Sequence, residues 1–170
     1  HVLEFDDVLN HQRSHIYEDR KSILVGDNAS VYNYLKDRSD TLEESTKERF
    51  LNKLDFFDTK ENSIETLKRV ILQSMDTFWV DHLEVMEHLR SSVNLRAYGQ
   101  RDPLIEYKKE GLKYFKEMQA SMIKQIAEFF ISLDDAVEFN LPTSSIEKTA
   151  VALADIKKVV TDEHKDLGRN

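Results

Sequence analysis

The chain has 170 residues, a third of them charged, with a net charge of −8, four glycines, two prolines and no cysteine. So few turn formers argue against a β-rich fold, and the missing cysteines exclude a disulfide framework and a thiolate metal site. No apolar run approaches the roughly eighteen residues of a membrane-spanning helix. The length allows one domain or two small ones, and the cysteine-free composition fits the cytoplasm. The first residue is His1, no signal-peptide pattern follows it, and the sequence is expected to be a piece of something larger.

In chain order, the first expected helix carries Val2, Phe5, Leu9, Ile16 and Ile23 on one side, interrupted there by Gln12, Arg13 and Arg20, and Gly26-Asp27-Asn28 stops it. Polar groups on an apolar stripe have two readings: a face packed against another domain, where a buried guanidinium must be paired, or long side chains snorkelling out of a local core. A compact helical insert follows, with a weak helix over Ser30 to Arg38. Thr41-Leu42-Glu43-Glu44 then has the form of a capping box for a helix reaching Phe56 or Phe57.

Asp58, Thr59 and Glu61 signal the start of a long helix whose stripe is Ile64, Leu67, Ile71, Met75, Phe78, Met86 and Leu89, with Val85 widening it. Phe78 and Trp79 lie on or beside that stripe and are expected in the core. The twelve residues SVNLRAYGQRDP, Ser92 to Pro103, break the pattern as an arginine-rich loop bearing one tyrosine. Asp102 followed by Pro103 is a capping carboxylate and a first-turn proline. They open a second long helix, through Ile105, Leu112, Phe115, Met118, Met122, Ile126 and Phe129 to Leu133. Each arm would be roughly 40 Å long, and two such stripes on a short connection bury each other as an antiparallel hairpin. After Leu133 the periodicity lapses, until Ser144 and Glu147 form another capping box before a weakly amphipathic stretch to about His164. The expected fold is therefore all-α: a long antiparallel hairpin packed with a further long helix and a small helical insert.

Charge is unevenly spread. Between Arg90 and Lys116 seven basic residues face three acidic ones, leaving −12 on the remainder. A basic tip on an acidic body suits an acidic partner surface or anionic headgroups; lysines decorating a solvated face give the same count. Catalytic patterns are missing. There is no GxxxxGK(S/T) phosphate loop, no HExxH, and no histidine with a glutamate three residues before it. His11 and His15 sit four apart with Asp7 and Glu18 nearby, but without a third histidine they read as an exposed, unliganded pair. Adjacent carboxylates such as Asp6-Asp7 and Glu43-Glu44 do not face each other on a helix, which makes them solvation or capping groups. Tyr98 offers a rigid amphipathic ring with a hydroxyl able to bond any backbone. It could grip an extended chain, or fold back as a plug over the two helix ends.

Three blocks resemble the C-terminal part of the SecA family, the ATP-driven motors of bacterial preprotein export: HVLEFDDVLNHQRSHIYEDR (His1 to Arg20), FWVDHLEVMEHLR (Phe78 to Arg90) and LRAYGQRDPLIEYKKE (Leu95 to Glu110). They occur in the family's order and together span 49 of the 170 residues. The resemblance implies a helical scaffold beginning with a first helix at 1–24, a shortened helical wing at 25–62, a two-helix finger at 63–134 and a C-terminal linker at 135–170. It further implies that Tyr98, with Leu95, Arg96, Gln100 and Arg101, contacts preprotein and the SecY channel, and that Asp6, Asp7, Gln12, Arg13 and Arg20 couple the scaffold to upstream ATPase domains.

ATP and magnesium would belong to the parent, with no cofactor, metal or catalytic residue in this segment. The last residues, Asp166 to Asn170, are similar to those just before the family's zinc-binding tail, which the chain itself lacks. Implied partners are the ATPase domains, the SecY complex, unfolded preprotein and, as a further candidate, anionic lipids, with no nucleic acid. The implied location is cytoplasmic, at the inner face of the bacterial cell membrane. Two departures stand out: Ala97 precedes Tyr98 and Gly99 follows it, where the family usually has glycine then alanine, and the wing is short. A stand-alone helical-bundle interaction protein without a motor is the alternative from another class.

Overall fold

The computed structural model describes residues 2–60, 63–96, 99 and 102–135, and all regular structure among them is helical. The order is α1 (Val2–Val25), α2 (Asn28–Arg38), a single 3-10 turn (Ser39–Thr41), α3 (Glu44–Asp58), α4 (Ser63–Arg96) and α5 (Pro103–Ser132). Helices α4 and α5, 34 and 30 residues long, form the antiparallel hairpin that their stripes require. Their rise of about 1.5 Å per residue makes them roughly 50 and 45 Å long.

Helix α1 lies along this hairpin, antiparallel to α4, and three layers of buried side chains mark its path. Near the tip Phe5 meets Met86, Leu89, Val93 and Tyr107. Ile16 meets Trp79, Phe115 and Met118 in the middle. At the base Ile23 joins Leu67 to Met75 of α4 and Met122 to Phe130 of α5, and here α2 and α3 close the core with Val31, Leu35, Phe50, Leu54 and Phe57. Phe130 sits between Phe50 and Phe57, with ring centroids 6.4 and 6.0 Å away. Lys53 of α3 donates to the Leu133 carbonyl at 2.6 Å and also contacts the Asp135 carboxylate, capping the C-terminal end of α5 from outside.

Caps explain several boundaries. Asp102 accepts from the Leu104 N–H at 2.9 Å with Pro103 in the first turn, as its sequence requires. Asp27 belongs to the next helix as much as to the stop of α1: it accepts from the Ser30 N–H at 2.9 Å and from the Ser30 hydroxyl at 2.6 Å. Those two bonds pull its carboxyl below the usual range.

Other expectations need correction. The Thr41 capping box does not form; Thr41 donates to the Arg38 carbonyl to close the 3-10 turn, and α3 begins at Glu44 after Glu43, which makes no side-chain cap. Asp58 and Thr59 end α3 instead of starting α4. Helix α4 continues seven residues past Leu89, so Ser92 to Arg96 are helical and the tip connection is shorter than the twelve residues read as loop. Val2, Val85, Ile105 and Leu112 are exposed, not on the buried stripe. In α5 the inward seam is Tyr107, Gly111, Phe115 and Met118, and Leu112 is turned about 100° away from it. The Ser144–Glu147 box and the stretch to His164 lie outside the described residues.

Candidate functional site

At the hairpin tip, the last turn of α4 places Arg96 opposite Glu110 of α5. The guanidinium makes a two-pronged contact with the carboxylate, Nη1–Oε1 2.6 Å and Nη2–Oε2 3.2 Å, and its Nε and Nη2 also reach the Ser92 hydroxyl. This planar fork holds the two arms together. Hydrogen bonding to Arg96 pulls the Glu110 carboxyl below its ordinary range, and the same bond raises the Arg96 guanidinium. Leu95, beside it, is 72% exposed. Tyr98, Gln100 and Arg101 lie outside the described residues.

The fork changes how the basic tip is read, because the Arg96 charge is compensated within the hairpin. Lys108, Lys109, Lys113 and Lys116 are exposed on α5, with Lys113 3.7 Å from Glu117. Among the described residues of the tip half, Arg90 and Arg96 are ion-paired across helices, and these four lysines lie on one side of α5. Exposed Ile105 and Leu112 share that side.

Below the tip, α1 is fastened to the hairpin by Asp6 and by two of the residues that interrupt its apolar stripe, Gln12 and Arg20. Asp6 accepts from Arg90 at 3.1 Å, and the Arg90 guanidinium lies 5.5 Å from the Phe5 ring, itself edge-on to Tyr107 at 4.9 Å. Two turns further, buried Gln12 bonds both arms at once, its Nε2 donating to the Gly111 carbonyl at 3.1 Å while its Oε1 lies 2.7 Å from Nε2 of His82. Burial pushes the His82 imidazole down to about 4, so it is neutral at pH 7. Arg20 grips Asp76 with two bonds at 3.0 and 3.3 Å. Arg13 donates to Asn10 one turn earlier on its own helix, and Asp7 is exposed in an open groove that it forms with Glu4, Val8, His11, Lys108 and Leu112 and that Gln12 also borders.

Asp6, Gln12 and Arg20 are therefore brought together with α4 or α5 inside this chain. Arg13 and Asp7 are not. Sequence reasoning missed the partners of Asp6, Gln12 and Arg20, which are Arg90, His82, Gly111 and Asp76, and also Glu110 as the partner of Arg96. One signal was available for Gly111: a glycine inside a helix costs about 1 kcal/mol relative to alanine and points to a close approach.

The described residues contain no group of three or more histidines, cysteines or carboxylates arranged to hold an ion. His11 is exposed, and His15 lies 4.0 Å from Asp19 and edge-on to Phe115. No described helix is long and apolar enough to cross a membrane. Among the described residues the arrangement is a long helical hairpin joined to a third helix by buried and charged contacts.

A family model described as "SecA Wing and Scaffold domain" matches this chain in two overlapping segments, residues 1–56 and 31–134. Among curated proteins, the protein translocase subunit SecA of Heliobacterium modesticaldum is 30% identical over 190 residues, covering 81% of this chain and 22% of the relative. That of Thermodesulfovibrio yellowstonii is 29% identical over 212 residues, covering all of this chain and 24% of the relative. The Rickettsia rickettsii SecA is 29% identical over 220 residues, covering 99% and 23%. The chain thus spans less than a quarter of the length of these relatives. Aligned stretches of 212 and 220 positions against 170 residues mean that the relatives carry residues here that this chain lacks.

Proposed function

Since the chain belongs to the SecA wing and scaffold family, we propose that it is the scaffold and finger region of an ATP-driven preprotein translocase. In this reading α1 is the scaffold helix, the hairpin of α4 and α5 is the two-helix finger, and α2 with α3 is a reduced wing. ATP binding and hydrolysis, with magnesium, belong to other domains of the same motor, because this sequence has no phosphate loop. Their movements reach α1, pass to the hairpin, and arrive at a tip that meets the preprotein and the SecY channel at the inner face of the cell membrane.

The observation that carries this reading is the docking of α1 along the hairpin from Phe5 at the tip layer to Ile23 at the base. A helix packed over that length can turn a displacement at one end into a displacement of a point far away. Stiffness supports the role, since both arms are unbroken for about eight turns.

Tyr98 supplies the grip in this proposal through nonspecific ring packing and backbone hydrogen bonding, and Arg101 acts through charge. The test is a photo-crosslinking amino acid at position 98 of the full-length motor, with a preprotein stalled in the SecY channel. Expected is an ATP-dependent crosslink to the preprotein. The same probe at exposed Val80, far down α4, is expected to give none. A crosslink from Val80 but not from position 98 overturns the assignment of the tip.

A further inference from the structure

The contacts between α1 and α4 step in opposite directions along the two helices: Asp6 with Arg90, Gln12 with His82, Arg20 with Asp76. The outer two are surface ion pairs, which water and salt weaken and which long side chains can re-form in a neighbouring register. Gln12 is different in kind. It is buried, its partners stand on different helices, and their hydrogen-bonding roles are determined.

The Gly111 carbonyl can only accept, so the Gln12 amide nitrogen must face it, which leaves Oε1 toward His82. His82 therefore carries its proton on Nε2. The backbone of α5 comes close because position 111 has no side chain: a Cβ there would stand 2.8 Å from Met86 Cε and 3.8 Å from Gln12 Nε2.

Apolar layers spaced at the helical repeat can re-dock after a slip of one turn with similar contacts. A polar triad cannot. Sliding α1 by about 5.4 Å would strand the 2%-exposed His82 N–H, which would bear the desolvation penalty of an unmade bond, and would leave the Gly111 C=O with its intrahelical bond alone. We infer that Gln12, held between His82 and Gly111, is the positioning residue that sets the register of α1 on the hairpin and makes the three helices move as one body. A single buried polar contact fixing helix register at a cost in stability is a known device of coiled coils. The consequence for force transmission rests on the translocase reading, but the register itself does not.

Because the chain has no cysteine, nitroxide labels can be placed at exposed Asp7→Cys on α1 and Lys124→Cys on α5, about 27 Å apart along the helix axes so that an axial slip changes their separation, and their distance distribution measured in the full chain. With Gln12 present a single narrow distance is expected. Replacing both side chains of the triad, Gln12→Leu with His82→Phe, is expected to keep a cooperative melt while adding a second population displaced by about one turn, roughly 5 Å. If that variant does not fold, Gln12→Met keeps the volume and is expected to show the same second population. An unchanged single distance in whichever variant folds overturns the proposal and assigns the register to apolar packing. Failure of the crosslink at position 98 would leave this distance result standing, so the two ideas fail separately.

Discussion

At its base the hairpin is wrapped by α1, α2 and α3 around Phe50, Phe57 and Phe130. From Trp79 to the tip, among the described residues, α1 alone covers it, and its contacts include a buried glutamine, an aromatic pair and an ion pair at Arg90. Burial of large apolar side chains is strong and non-directional, so the base supplies stability without choosing between neighbouring alignments. The buried Gln12 contacts contribute less free energy than that burial but are satisfied in one geometry. The division suits a lever, whose anchored end must not unfold and whose working end must not slip.

The sharpest way to break the comparison is Phe130→Ala, which removes a side chain 1% exposed at the centre of the base. The expected loss is about 3–5 kcal/mol, read by denaturant unfolding. A loss under about 1 kcal/mol would mean the base core is loose and the contrast between the two ends is unfounded.

Acid probes the middle of the molecule. The folded His82 imidazole titrates at about 4 against an ordinary value of 6.5, so the unfolded chain binds the proton first as pH falls. The contribution is fully present above pH 6.5 and is lost progressively as the pH drops to about 4. At 1.36 kcal/mol per unit the whole effect is roughly 3 kcal/mol. In His82→Phe that part of the slope is expected to disappear, leaving the carboxylates to dominate below it. An identical slope in the variant would contradict the buried, neutral imidazole.

A smaller effect is expected from Gly111→Ala. Better helix propensity gains about 1 kcal/mol, while the new Cβ must displace the flexible end of Met86, 2.8 Å away, so the two offset and a net change well under about 1 kcal/mol is expected in a thermal melt. Appearance of the full propensity gain would show that the seam between α4 and α5 has room to spare.

The smallest change is expected from Arg96→Gln at the exposed fork with Glu110. Melting should fall slightly at low salt and not at all near 1 M, where the screening length is about 3 Å. A large, salt-independent drop would place structural weight at the tip that the comparison denies.

Much of the fold was legible because its apolar residues recur with the helical period. The two long stripes and the Asp102-Pro103 start led directly to the hairpin. The end of α4 was misplaced although Val93 continues the spacing of Met86 and Leu89, because the serines and arginines around it resemble a loop. The seam of α5 was drawn through Leu112 in place of Gly111, since a glycine contributes nothing to a hydrophobic pattern even where its smallness is what the packing needs.

Turn chemistry misled at Thr41, where the hydroxyl bonds backward to Arg38 and not forward into α3. The interrupting polar residues of α1 were noticed, but their partners were not. Gln12 meets residues 70 and 99 positions away, and no local pattern carries a pairing of that length.

The central claim, that this chain works as the scaffold and finger of a preprotein motor, is tested most directly by exchange. Residues 1–135 would replace the aligned segment of the Thermodesulfovibrio yellowstonii SecA, and ATP-driven preprotein transport into membrane vesicles would be measured for the chimera and for its Tyr98→Ala form. The account expects transport by the chimera and its strong loss on Tyr98→Ala, with both proteins melting alike. A folded, ATP-hydrolysing chimera that moves no preprotein, or one indifferent to the loss of Tyr98, would contradict it.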